Sequence, residues 1–352
     1  MSSYLIDTGP LRIRDQFSLG MGFLAFDPVS ADVLAKGEWQ IDWIETATND
    51  FARSDAVGDI LERRDRRASL TLEQLRAIDP ADGDSGIFFV DGELYRTALA
   101  FRRGVGKGVQ LELVVPVLSF QGGIVDSLVE EFHSTFGFDQ VGRLGVPQDS
   151  FTVYARSREA EVIVEKDPGL VLGDVVLGAK FRVRGSAEER WRLGLETQVK
   201  LPTGGAEPLG TSGSTDFGAQ LLLTRYYAKA CIHGSLGLLA LGASDQLGLG
   251  SQTITSGMIA YERALGSAIS GLAQVTISES PFADLELSGL DRTSQQVTLG
   301  IKKVIKRQVL FVGLTENFGA FNNTPDVGFH VGLTRSFGKS DSGSVPAEAE
   351  ED

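Results

Sequence analysis

One short stretch of the chain carries acidic, hydroxyl and imidazole side chains at helical spacing. Asp126, Glu130 and His133 stand at positions i, i+4 and i+7, and an α-helix brings such positions onto one face. A carboxylate and a histidine beside Ser127 or Ser134 have the composition of a nucleophilic catalytic site. Residues of a single helix rarely converge in triad geometry, so an amphipathic helix with its acidic side in water is the simpler interpretation. We keep Asp126, Glu130 and His133 as catalytic candidates and favour a function other than catalysis.

The groups suited to binding metal ions are few. The chain has three histidines and one cysteine, Cys231, which excludes an internal disulfide and a multi-cysteine metal site. His233 and His330 have the parity of Cys231 in their predicted strands. Two separate histidines more often line a lumen than form a metal centre. The sequence therefore predicts no metal site and no cofactor.

These side chains belong to segments of about ten residues in which apolar and polar residues alternate. The clearest lies at 190–201, where Trp191, Leu193 and Leu195 alternate with polar residues. A period of two indicates a β-strand, and this length lets a tilted strand cross a bilayer. The net charge of −14 argues against nucleic-acid binding. Strands are predicted at 39–51, 94–103, 109–120, 172–184, 190–201, 215–227, 229–242, 252–264, 267–279, 293–305, 308–319 and 328–337.

The connections between these strands are alternately short and long, as in outer-membrane barrels. The sequence therefore predicts an all-β fold, a transmembrane antiparallel β-barrel of about twelve strands. An even number places both termini on the periplasmic side and lets the first strand pair with the last. If residues 150–165 contribute two more strands, the number is fourteen.

The barrel occupies 37–338 in this prediction, with a long extracellular insertion at 122–170 that contains one short amphipathic helix. A charged loop at 53–84 is expected to hold a short helix near Leu72. Residues 1–36 form either a plug within the barrel or a periplasmic leader, and 339–352 form an acidic disordered tail. The start of the chain lacks the features of a secretory signal, so we interpret the sequence as a mature or re-started form.

The polar face of the strands carries charges of both signs and several glycines, which suits a crowded lumen better than a solvated surface. Lys180, Arg182, Arg192 and Lys200 could form a basic ladder, but nearby carboxylates can neutralise it. We therefore expect a structural network and not a selectivity filter. The predicted lumen-lining residues are Asp174, Lys180, Arg182, Arg192, Glu196, Lys200, His233, Lys302 and His330.

Several short motifs are similar to those of a bacterial family of uncharacterised outer-membrane β-barrels, a domain of unknown function. The resemblance covers nearly the whole chain and implies a barrel in the outer membrane, without an established activity. The Leu-Pro-Thr-Gly motif at 201–204 is similar to motifs in several transport-type barrels. The helix motif within 122–137 and the ending from Glu-Asn-Phe at 316–318 to Pro-Asp-Val at 325–327 are more specific to this family. The matching segments are 9–12, 15–17, 122–127, 132–133, 136–137, 173–174, 177–178, 201–204, 316–319 and 323–327.

Barrel size and fold analogy favour a porin-like channel or transporter for a small molecule, including a hydrophobic or amphipathic one. The alternatives are a lipid-modifying enzyme that uses His133 and a structural or assembly partner of another envelope protein. The expected partners are membrane lipid, lipopolysaccharide and, through the last strand at 328–337, the barrel-assembly machinery. The expected location is the outer membrane of a Gram-negative bacterium.

Overall fold

The computed structural model describes residues 9–81, 83–123, 125–137, 140, 142–165, 168–186, 189–205, 209–318 and 322–338. The acidic tail predicted at 339–352 lies outside these residues. Within them no helix is both long and apolar enough to cross a membrane. The elements are β1 Trp39–Arg53, α1 Asp55–Glu62, α2 Leu72–Arg76, β2 Ile87–Gly106, β3 Val109–Gln121, α3 Asp126–Phe136, β4 Thr152–Arg156, β5 Glu161–Val164, β6 Gly169–Leu172, β7 Val175–Arg184, β8 Trp191–Leu201, β9 Asp216–Tyr226, β10 Ala230–Leu241, β11 Gln252–Ala264, β12 Ile269–Ser278, β13 Ser294–Ile305, β14 Gln308–Asn317 and β15 Val327–Phe337.

Twelve strands close into an antiparallel barrel, and this confirms the predicted fold. The circuit runs through β1, β2, β3 and then β7 to β15 in sequence order. It is closed by β15 against β1, in a register from Trp39 opposite Phe337 to Asn49 opposite Val327. Closure gives both of these strands a partner on each side, so the barrel has no free edge.

The two additional strands of the fourteen-strand alternative lie outside the barrel circuit. They are the β4–β5 hairpin, in which β4 pairs with Ile87 to Asp91 at the start of β2. For this reason β2 begins seven residues earlier than the sequence predicted. The short strand β6 pairs with the end of β3, and the chain between β6 and β7 is interrupted at 173–174.

The charged loop at 53–84 contains two helices, whereas the sequence predicted one. The helix near Leu72 is α2, and α1 was missed because it is short, strongly charged and contains Gly58. Val57 and Leu61 of α1 are buried beside Phe51 of β1 and Phe89 of β2. This packing covers the outer face of the barrel wall where β1 and β2 extend beyond the other strands.

The outer wall is apolar, while the inward face of the strands carries buried charges. Leu236 in the middle of β10 is 67% exposed and Ile259 of β11 is 66% exposed. In contrast, Glu196 and Lys200, which point inward from β8, are 1% and 2% exposed. A soluble protein shows the opposite arrangement, so this wall is the surface of a transmembrane barrel.

The two rims differ in the length of their connections. At one end, called the short-turn rim, β2 is joined to β3 by two residues and β13 to β14 by two residues. At the other end, called the long-loop rim, the connection from β1 to β2 spans 54–86 and that from β12 to β13 spans 279–293. The short-turn rim also carries the start of β1 and the end of β15.

Replacing Leu236 with arginine tests whether the wall contacts lipid. A charged side chain near the midplane on the lipid face of a barrel costs about 2–4 kcal/mol. We therefore expect Leu236→Arg to lower the free energy of unfolding by about this amount in urea titrations in lipid bilayers. Leu236→Phe, which stays apolar, is the control. Equal stabilities of the two variants would contradict a lipid-facing wall at this position.

Candidate functional site

Residues 9–36, here called the lumen segment, run through the barrel as an irregular hairpin. The segment begins near the short-turn rim, where Gly9 N donates to Glu262 Oε2 at 3.0 Å. It reaches the long-loop end at Leu24, whose N–H donates to Asp216 at 2.9 Å. It then returns, since Leu34 N donates to Gln110 near the short-turn rim at 3.1 Å. The described part of the predicted N-terminal segment therefore lies against the inward face of the barrel.

Side chains of the wall bind the main chain of the lumen segment. Gln274 of β12 accepts from Leu11 N at 2.9 Å and donates to Leu11 O at 3.1 Å. Thr224 of β9 accepts from Ala31 N at 3.0 Å. Lys180 of β7 donates to Ser30 O at 3.1 Å. Irregular backbone needs such partners when it is removed from water.

Charged groups on the lumen segment pair with charged groups on the wall. Arg12 forms a two-pronged ion pair with Glu112 of β3, and one of its hydrogen bonds measures 2.9 Å. Asp32 pairs with Arg192 of β8, whose guanidinium stacks 4.4 Å from the ring of Tyr226. Sequence analysis did not single out Arg12 or Asp32, because their partners are about 100 and 160 positions away in the chain.

Lys200 is the centre of a buried polar cluster near the long-loop end, here called the Lys200 cluster. Its ammonium group lies 2.7 Å from Asp174 and 3.3 Å from Asp216. It also donates to the carbonyl oxygen of Gly22 at 2.7 Å and to Ser212 at 2.6 Å. The cluster therefore joins β8, β9, the interruption before β7 and a long loop to the tip of the lumen segment.

The tip of the lumen segment also borders an apolar cavity that faces the long-loop rim. Phe17 and Phe23 contact Phe282 edge-on, with ring centroids 6.4 and 6.0 Å apart. Polar groups at Arg14 and Asp15 reach the same cavity. Asp27, Glu279 and several serines also line it, so the cavity offers a mainly apolar surface with polar groups around it. Its apolar lining includes Phe17, Phe23, Phe26, Leu239, Ile254, Met258 and Phe282.

The structure places most of the predicted lumen residues in this interior. Lys302 contacts Glu262 at 3.2 Å, and His330 lies between Thr46 and Thr315 at 3.1 and 2.8 Å. Arg182 lies apart from this interior: it is exposed near the short-turn end of β7, where a register shift disturbs the pairing with β8. The residues found buried or half-buried in the interior are Asp174, Lys180, Arg192, Glu196, Lys200, His233, Lys302 and His330.

Two of the three catalytic candidates on α3, Asp126 and Glu130, contact arginine side chains, and His133 is half-buried near the end of the same helix. Asp126 lies 3.2 Å from Arg143 and also accepts from Asn49 at 2.9 Å. Arg143 in turn pairs with Asp326. Burial raises the pKa of Asp326, and the nearby positive charge of Arg143 offsets this effect in part. These contacts fasten α3 to the wall.

Glu130, one turn further along α3, forms a two-pronged ion pair with Arg67 at 2.7 and 2.8 Å. Burial acts to raise the pKa of Glu130, but hydrogen bonds from Arg67 and Gln148 outweigh it, so the pKa is lowered. A carboxylate in this state is a poor general base. The geometry of α3 supports an anchoring role better than catalysis.

The structure brings together three potential ligand residues that the sequence left apart. Cys231 and His233 point inward from β10, and Glu262 of β11 stands directly opposite Cys231. Glu262 was overlooked as a partner. The register of the β10–β11 hairpin could have revealed it, because placing Leu241 opposite Gln252 also places Cys231 opposite Glu262.

Solved structures with a similar fold are outer-membrane proteins. The crystal structure of the COG4313 outer membrane channel from Pseudomonas putida F1 matches with a TM-score of 0.53 and 13% identity, over 89% of this chain and 100% of that one. At this identity the match shows the fold, which is that of an outer-membrane β-barrel.

Two further structures have lower scores. The Ralstonia pickettii toluene transporter TbuX matches with a TM-score of 0.41 and 11% identity, over 87% of this chain and 90% of that one. LpxR from Salmonella typhimurium matches with a TM-score of 0.38 and 10% identity, over 84% of this chain and 99% of that one. Scores this low carry no argument about function.

No curated protein is significantly similar to the chain in sequence. One family model matches residues 81–337, a range that begins six residues before β2 and extends to the end of β15. This range covers most of the barrel and the whole α3 insertion. The chain belongs to the family described as protein of unknown function (DUF3187).

Proposed function

We propose that the protein is a channel in the bacterial outer membrane for a small apolar or amphipathic molecule. The observation that carries this proposal is the cavity at the long-loop end of the lumen, with its phenylalanine and aliphatic lining and its polar contacts at Arg14 and Asp15. A mainly apolar cavity that also carries polar groups binds ligands of matching character, which are apolar or amphipathic. The similar fold of the Pseudomonas putida outer membrane channel supports a channel, without indicating its substrate.

The proposed orientation places the short-turn rim and both termini in the periplasm. Short periplasmic turns and longer extracellular loops are typical of outer-membrane barrels. The apolar cavity then opens toward the cell exterior, and the ion pairs of Arg12 and Asp32 lie toward the periplasm. A molecule entering from outside would meet the apolar cavity first.

We further propose that the lumen segment is a plug that must move for transport. Its backbone and side chains contact inward-facing residues on both halves of the lumen, from Gln110 and Lys302 at the short-turn end to Lys200 and Asp216 at the other. Transport past this segment requires that some of these contacts break. The Arg12–Glu112 and Asp32–Arg192 pairs are exchangeable polar contacts, and water can replace them during such a movement.

A disulfide between the plug and the wall tests this proposal. A Cβ atom built on Gly194 of β8 lies 3.4 Å from the Cα atom of Ala31, which is within the reach of a disulfide. We expect the oxidised Ala31→Cys/Gly194→Cys protein to lose at least nine-tenths of its uptake of an aromatic hydrocarbon in proteoliposomes, counted above the uptake of protein-free liposomes, because a hydrocarbon also enters lipid unaided. A reducing agent should restore the uptake.

The two single cysteine variants are the controls, and both should transport in oxidising and reducing buffers. Glucose serves as a polar solute of comparable size and should enter more slowly than the hydrocarbon. If the oxidised double variant transports like the wild type, the plug does not need to move. If glucose and the hydrocarbon enter equally fast, the proposed substrate class is wrong.

A further inference from the structure

Three side chains with sulfur, nitrogen and oxygen donors converge on the inner wall near the short-turn rim. Cys231 Sγ lies 3.1 Å from His233 Nε2 and 3.9 Å from Glu262 Oε2. All three donor atoms lie within 4.8 Å of one another, and each side chain is at most 1% exposed. The strand pleat explains this convergence, since residues i and i+2 share a face and Glu262 is the cross-strand partner of Cys231.

We propose that Cys231, His233 and Glu262 bind one zinc-type divalent ion. A thiolate, an imidazole and a carboxylate form a set that zinc accepts, and softer donors disfavour magnesium and calcium. With usual zinc–ligand lengths of about 2.3, 2.0 and 2.1 Å, the observed separations correspond to angles of about 90° for S–Zn–N and about 125° for S–Zn–O. These values lie on either side of the tetrahedral angle, and a fourth position is left for water.

The surroundings of His233 suit a metal ligand. Thr224 Oγ1 lies 3.0 Å from Nδ1, so a proton on Nδ1 can be donated to this hydroxyl and the Nε2 lone pair then faces Cys231. Ligand histidines are commonly oriented by such a hydrogen bond on their second nitrogen. His330, the other buried lumen histidine of the described residues, has a hydroxyl near each ring nitrogen instead.

Ion binding changes two existing contacts. The thiol of Cys231 loses its proton to solvent when the sulfur–zinc bond forms. At Glu262 Oε2, the ion takes the place of the Lys302 ammonium, which lies 3.2 Å away and also donates to Gly9 O, while the Gly9 N–H keeps its 3.0 Å hydrogen bond to the same oxygen. Lys302 keeps this second partner. The ion would thus sit at the point where the lumen segment begins.

Elemental analysis and cobalt substitution test the site in the full-length protein. The protein is refolded into detergent with either Zn²⁺ or Co²⁺ and is then freed of excess ion. We expect one ion per chain, and for Co²⁺ a thiolate-to-cobalt charge-transfer absorption. Cys231→Ser should abolish this absorption, and His233→Gln should weaken Zn²⁺ binding at least tenfold.

His330→Gln is the matched control, because it removes a buried lumen histidine outside the proposed site and should keep both the stoichiometry and the absorption. Folding of each variant is checked by its gel migration before and after boiling. A wild-type protein that holds much less than one ion per chain would overturn the proposal. A cobalt spectrum of the wild-type protein that lacks the thiolate absorption would also overturn it, and this measurement does not depend on the folding of any variant.

Discussion

Replacing Lys200 with methionine is expected to destabilise the barrel by about 3–5 kcal/mol, because removing one partner of a buried ion pair leaves the other charge uncompensated. Asp174 and Asp216 would both lose the ammonium group that lies 2.7 and 3.3 Å away. The tip of the lumen segment would lose the hydrogen bond to Gly22 O. Urea unfolding in bilayers, with equilibrium established in both directions, gives this free energy.

The triple variant Lys200→Met/Asp174→Asn/Asp216→Asn should recover much of the lost stability, because it removes the orphaned charges together with the lysine. Lys303→Met is the matched control. This lysine is exposed and lies two residues before the end of β13, at the short-turn rim. Its loss should therefore change the free energy of unfolding by less than about 0.5 kcal/mol. If the triple variant is no more stable than Lys200→Met, the penalty does not come from unpaired carboxylates.

The second large effect is expected at Arg143, which holds the α3 insertion to the wall. Arg143 is buried between Asp126 and Asp326, and its guanidinium stacks 4.6 Å from the ring of Phe51. Arg143→Met leaves two buried carboxylates without their cation, at a cost of about 3–5 kcal/mol. We expect this cost to be local, so that α3 and the following loop exchange amide hydrogens faster while the barrel strands stay protected.

Arg67→Met provides the comparison for this experiment. Arg67 also binds α3, through Glu130, but its side chain is 33% exposed. A partly solvated pair of this kind contributes about 0–1 kcal/mol, so hydrogen exchange in α3 should rise only slightly. Equal acceleration in the two variants would show that burial of Arg143 does not set the stability of the insertion.

The barrel could be predicted from the sequence because its signal is local. Each strand repeats the same alternation, and the prediction of 190–201 differs by one residue from β8 at Trp191–Leu201. The loops at the two rims are distinguished by length alone. Parity does not predict burial, however: Arg182 has the parity of Lys180 but is exposed, because it lies near the end of β7 at the rim. Helix α1 was missed because the burial of Val57 and Leu61 depends on residues from β1 and β2.

The interior could be predicted only in part, because its contacts join residues that are far apart in the chain. Parity identified Lys200 and Asp174 as inward-facing, but it gave no information that Gly22 would complete the cluster. Gly22 is suited to this place because a Cβ atom would lie 2.6 Å from the main chain of Thr211. The path of the lumen segment follows from such contacts with the wall, and each of them forms only when the barrel strands are already in place.

The wall contacts the lumen segment largely through peptide groups, as at Leu11, Ser30 and Ala31. Peptide N–H and C=O groups are common to nearly all residue types. Selection can therefore exchange the side chains of the segment at such positions with little loss of binding, provided that their volume is tolerated. The constraint falls on the wall, where Gln274, Lys180 and Thr224 must each keep a particular hydrogen-bonding group. Over evolutionary time the barrel can remain a fixed receptor while the side chains at these backbone-held positions diverge, whereas Arg12 and Asp32 are held through their own charges.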